Sequence, residues 1–166
     1  MAIAVVLSIL LLGGFIGVGI RKFGLLRSYS AYASQWSVKV LDLPIWSVVT
    51  FIAALLIVPV MVEVGNADPF QCLGFFAPVY LIIVSLTPNW ETDKRQGVVH
   101  RIGAVICAVL AFAWLLLVCH MWYVVLAASL LVLAMLIVTR RPDAYIFWGE
   151  MIMFISTYVS LLIMQI

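Results

Sequence analysis

Six apolar runs occupy most of this chain, near residues 2–20, 45–64, 70–88, 98–119, 121–139 and 145–166. Each is about long enough to cross a hydrocarbon core of roughly 30 Å as a helix. None alternates apolar and polar residues as a membrane barrel strand does, so helices are expected. Composition agrees: 67% of the 166 residues are apolar and 10% are charged, against about half and about a quarter in soluble domains. The first run has no basic residue before it, unlike a typical secretory signal. The expected architecture is an all-α, polytopic transmembrane helical bundle of about six spans, in a single domain covering 1–166.

Charge placement supports that count. The basic residues are Arg21, Lys22, Arg27, Lys39, Lys94, Arg95, Arg101, Arg140 and Arg141. From Ile102 to Thr139 the only ionisable side chains are Cys107, Cys119, His120 and Tyr123. One helix over that interval would reach about 57 Å, almost twice the hydrocarbon thickness. A reversal near Cys119, His120, Met121 and Trp122 divides it, although no Gly or Pro marks the turn. With six spans every Lys and Arg falls within 21–44, 89–101 and 140–144, on one face. The positive-inside tendency puts that face in the cytoplasm of a cell (inner) membrane, with both termini outside.

In the segment 21–44, Leu26, Tyr29, Ala33, Trp36, Val40 and Leu43 recur at helical spacing. Arg27, Ser30, Ser34, Ser37 and Lys39 lie largely between them. The pattern predicts a basic amphipathic helix in the inner interface, ended by Pro44. Trp36, Trp46, Trp90, Tyr145 and Trp148 are expected near the inner interface, and Trp122 and Tyr123 near the outer one. Pro59 and Pro78 fall inside the second and third runs, where each removes a backbone donor.

Ionisable residues at lipid depth point to function, because burying their charge costs energy unless they are paired or hydrated. His100 sits just inside the fourth run and shares its helical face with Gly103, Ala104, Cys107, Ala108 and Ala111. Small side chains let another helix come close, so Gly103, Cys107 and Ala111 are expected to serve packing. Glu150 lies one turn inside the sixth run, with Thr157 and Gln165 on roughly the same face. If the two helices touch, His100 and Glu150 meet at similar depth, with Arg101 and Glu91 as polar neighbours beside Asn89 and Asp93. This group is the expected ligand or proton site; its alternative role is a buried polar clamp between helices.

Glu63, Asp68, Cys72, Cys119 and His120 form an outer set expected to be solvated, with a Cys72–Cys119 disulfide left open. Gly13 and Gly17 form a GxxxG pair suited to close helix contact, within the bundle or between subunits. His100 and His120 would stand about 30 Å apart on one helix and cannot share a metal or haem. No zinc spacing, nucleophile elbow, phosphate-binding glycine loop or HExxH sequence occurs, so no cofactor, metal or catalytic residue is assigned.

Thr87-Pro88, a short charged loop and then His100-Arg101-Ile102-Gly103-Ala104 resemble the middle of several small, poorly characterised multi-span membrane families. There a Pro-containing polar loop precedes a His-x-x-small-Ala opening of the next span. The resemblance covers residues 87–104 and implies interest in His100 without an activity.

The leading expectation is a non-enzymatic membrane protein that binds or conducts a small polar species, an ion or a proton through the His100/Glu150 region. The alternatives are a lipid-handling enzyme or accessory factor, whose basic segment holds anionic headgroups, and a structural subunit of a membrane complex. Expected partners are membrane lipids and other subunits, including copies of the chain. No soluble basic face exists to hold nucleic acid.

Overall fold

The computed structural model describes residues 1–36, 39, 40, 43–66, 68–140 and 142–164. Ser37, Arg141 and Gln165, to which the sequence assigned places, lie outside the described residues.

The chain folds as an all-α bundle of α1 (Ala2–Phe23), α2 (Tyr32–Gln35), α3 (Ile45–Val64), α4 (Cys72–Ser85), α5 (Lys94–Leu117), α6 (Trp122–Thr139) and α7 (Tyr145–Ile163). Five of these, α1, α3, α5, α6 and α7, are long and apolar enough to cross a membrane, as the helices of an integral membrane protein are. The third apolar run gives a shorter helix than its length implies. Turns take up residues 69–71 and the chain beyond Ser85, so α4 keeps 14 residues, about 21 Å of rise. Conversely, α5 begins earlier than its apolar run. Asp93 caps it, its carboxylate accepting from the Arg95 and Gln96 N–H groups at 2.8 and 3.2 Å.

Neighbours in sequence pack side by side: α1 on α3 (with the short α2 also against it), α3 on α4, α4 on α5. Helix α7 returns to touch α1, α3 and α5 and carries α6 on its outer side. Trp46, Trp114, Phe147 and Leu161 are fully enclosed. On α6 only Val124, Ala128 and Val132 are buried, a stripe at four-residue spacing. Its remaining face, with Leu126, Leu130, Leu133 and Ile137, is exposed apolar surface of the kind lipid solvates.

The amphipathic helix expected in the segment 21–44 does not form among the described residues. The segment holds one helical turn, α2, and a two-residue antiparallel ribbon of β1 (Lys39–Val40) and β2 (Leu43–Pro44). Gly24 ends α1 with φ 75°, a left-handed conformation that suits glycine, and turns the chain back across the bundle end. Tyr29, Ala31, Tyr32 and Ala33 are then buried among the helices instead of facing lipid. The helical spacing of Tyr29 and Ala33 does not come from one continuous helix. Trp46 likewise departs from its interfacial assignment, being 1% exposed and in the core.

The reversal between α5 and α6 falls at residues 118–121, where His120 takes φ 53°. A histidine in the left-handed region does here what a glycine would do, which explains why no glycine marks the turn. At the other end of the bundle, the Phe147 N–H donates to the Arg27 carbonyl at 3.0 Å. Arg27 in turn pairs with Glu91 at 2.6 Å. The connections leaving α1 and α4 and the start of α7 therefore meet at one end.

The glycine contacts differ from one another. A Cβ on Gly103 would lie 3.2 Å from Val84, so this glycine lets α5 approach α4. Around Gly13 and Gly17 nothing lies within 4 Å of a Cβ position, and both are exposed. The intrabundle contact offered for that pair is not made, since the face that carries it points out of the bundle.

Candidate binding cleft

Lys94, Gly97, Arg101 and Ala104 follow at steps of three, four and three residues and so form one stripe along α5, with His100 beside it. A cleft of about 820 Å³ runs along this stripe. Its other walls come from the α1–α3 connection (Arg27, Ser28, Ser30), the α4–α5 connection (Trp90, Glu91, Thr92) and α7 (Ile146, Glu150). His100, Arg101, Glu91 and Glu150 thus all line one space.

His100 and Glu150 are not hydrogen-bonded to each other; each has its own partner. The Thr87 hydroxyl donates its one proton to the Val84 carbonyl at 2.7 Å. At its 2.9 Å contact with His100 Nδ1 the same oxygen must then accept. The neutral ring consequently carries its proton on Nδ1, leaving Nε2 as an acceptor. The ring is 4% exposed. It stacks on Trp90, with centroids 4.8 Å apart and planes 13° apart, and meets Trp46 at 6.2 Å. Gly97 permits this arrangement: a Cβ there would stand 2.6 Å from the Trp90 carbonyl oxygen.

Glu150 Oε2 accepts from the Tyr29 N–H at 2.6 Å, which ties α7 to the α1–α3 connection. The Tyr29 phenol interacts with Thr50 Oγ1 at 2.8 Å, and burial pushes its pKa above the ordinary tyrosine value. Among the acidic residues of the α4–α5 connection, Asp93 is occupied as the cap of α5. Glu91 holds Arg27 in a largely exposed pair, a contact worth about 0–1 kcal/mol.

Ser30, Ala104 and Glu150 also line a second cavity of about 80 Å³ that reaches inward past Trp46, Leu81, Cys107 and Phe154. Among the described residues, the Trp46 indole N–H on its wall has no hydrogen-bond partner. Deeper still, a void of about 20 Å³ is bounded mainly by Ile57, Met61, Ala77, Pro78, Cys107, Ala111 and Met153. Tyr158 at its far end is hydrogen-bonded to Ser8 of α1, which also donates to the Ala53 carbonyl at 2.9 Å. Cys107 and Ala111 therefore sit along the inner voids, and Cys72, Cys107 and Cys119 are all free thiols.

Arg27, Ser28, Ser30 and Trp90 were not singled out as site residues by sequence. Arg27 and Ser30 were read as part of the polar face of a helix, Trp90 as an interface anchor, and Ser28 was given no place. The one available signal was the run Ser28-Tyr29-Ser30, hydroxyls interleaved with an aromatic directly after a basic residue. Among the described residues no group of three or more His, Cys, Asp or Glu is arranged to hold a metal ion. No family model, curated protein or solved structure matches this chain.

Proposed function

We propose that this multi-pass membrane protein binds a small polar species or ion in the cleft at its basic end, from the cytoplasmic side, without carrying out chemistry on it. The observation that carries this reading is the lining of one cleft by His100, Arg101, Glu91 and Glu150, drawn from three parts of the chain. Their chemistry is complementary to a ligand with both acceptors and donors. Arg101 supplies hydrogen-bond donors, whereas His100 Nε2 and the Glu150 carboxylate accept.

Two features favour binding over conduction. Inward of the cleft of about 820 Å³ lie two smaller separate cavities, of about 80 Å³ and about 20 Å³. The deepest void is walled almost wholly by apolar side chains, which offer a hydrated ion nothing in exchange for its water. The orientation rests on the basic residues Arg27, Lys94 and Arg101 gathering at one end, the pattern of a cytoplasmic face. Binding is favoured over catalysis because His100 is held by a threonine. The Thr87 hydroxyl is buried and gives its proton to the Val84 carbonyl, and among the described residues no carboxylate hydrogen-bonds to the ring to orient it as a base.

Purified protein in liposomes tests the choice between binding and conduction. Proton and potassium flux should equal that of protein-free liposomes under an imposed potential. Sustained flux abolished by Glu150→Gln would replace this reading with a conducting one.

A further inference from the structure

Resting on that cleft's being a binding site for a polar or charged group, we propose that the group is the headgroup of an anionic phospholipid bearing a hydroxyl, the lipid lying along α5 with its phosphate at Lys94 and Arg101. Neither cation has an ion-pair partner among the described residues, whereas Arg27 is already held by Glu91. The two lie seven residues apart on one stripe of α5, two helical turns, so a single phosphate between them meets both charges.

The same wall turns apolar with depth. Val105 lies about 16 Å along the helix from Lys94 and is 64% exposed, and Ile146 across the cleft is 44% exposed. A soluble anion uses none of that apolar surface. A lipid uses both parts, because its acyl chains continue past Val105 and Ile146 into the surrounding hydrocarbon.

The hydroxyl requirement comes from the polar groups of the wall that carry no positive charge. His100 Nε2 and the Glu150 carboxylate both accept hydrogen bonds. A glycerol headgroup donates to them, while a choline headgroup has no donor to offer. The cleft therefore discriminates by charge at the stripe and by hydrogen bonding beside it.

The test is a titration of the full-length, detergent-solubilised protein with phosphatidylglycerol, phosphatidylcholine or glycerol 3-phosphate, followed by native mass spectrometry. Phosphatidylglycerol should bind at least about tenfold more tightly than phosphatidylcholine. Lys94→Gln and Arg101→Gln should each weaken it about fivefold; Arg95→Gln, outside the cleft, should not. Equal binding of the two lipids, or phosphatidylglycerol binding unchanged in the Lys94→Gln/Arg101→Gln double variant, overturns the proposal. Binding of glycerol 3-phosphate without phosphatidylglycerol overturns the lipid assignment and leaves the polar-ligand reading standing. If none of the three binds and the protein also carries no ligand from its host membrane, both fall.

Discussion

Trp90 lies flat on the imidazole of His100, with ring centroids 4.8 Å apart and planes 13° from parallel. The two residues belong to different elements, the α4–α5 connection and α5, and their stacking fixes one wall of the cleft. Thr87 holds the ring at its edge through Nδ1. Orientation of His100 is thus set twice, by a face and by an edge.

Replacing Trp90 with Ala removes the stacking and should weaken ligand binding by about 0.5–1.5 kcal/mol, with Trp90→Phe largely retaining it. The ring current gives an independent readout. The His100 ring protons should shift downfield in Trp90→Ala by nuclear magnetic resonance, while those of His120 stay in place.

Glu150 joins α7 to the backbone of Tyr29, and the nature of that bond separates two substitutions. Glu150→Gln keeps an oxygen that accepts from the Tyr29 N–H and should leave thermal unfolding in detergent nearly unchanged. Glu150→Leu strands that N–H and should cost about 1–3 kcal/mol. Equal stability of the two variants would mean that the bond contributes little.

The α5–α6 reversal depends on His120 at φ 53°. A β-branched residue resists that conformation, so His120→Val should lose about 1–2 kcal/mol. His120→Gly should unfold at or above the wild-type temperature, because glycine adopts positive φ freely.

Topology is open to a labelling experiment with the native cysteines. Cys72 is exposed at the end of α4 away from the cleft, while Cys107 and Cys119 are buried. A membrane-impermeant maleimide added to intact cells should modify Cys72 and spare the other two until the protein is denatured. Modification of Cys72 only after permeabilisation would place the basic end outside.

The helices were legible because a span needs only a long apolar run, and lipid imposes no finer pattern. The ends of α3 and α6 fall within a residue of the apolar runs that predict them. The turn at His120 was located by charge and length alone. The connection from Gly24 to Pro44 was misread for a definite reason. Tyr29, Ala33 and Trp36 repeat at helical spacing, yet the two aromatics pack into only partly shared surroundings: Tyr29, buried, against Phe15, Trp46 and Phe154, and Trp36, half-buried, against Phe15 and Phe23. Periodicity records burial and does not say that one continuous helix produces it. The small-residue face beside His100 was readable from α5 itself. Ser30, Arg27 and Trp90 were not, because they reach the cleft through connections whose path is set by tertiary packing.

The most direct test of the central claim is native mass spectrometry of the protein released from nanodiscs formed with its host membrane. The wild type should carry one defined polar or ionic species, and occupancy should fall sharply in both His100→Gln and Glu150→Gln while the fold is retained. A wild type released bare, or a bound species indifferent to both substitutions, would contradict the assignment of the cleft as a binding site.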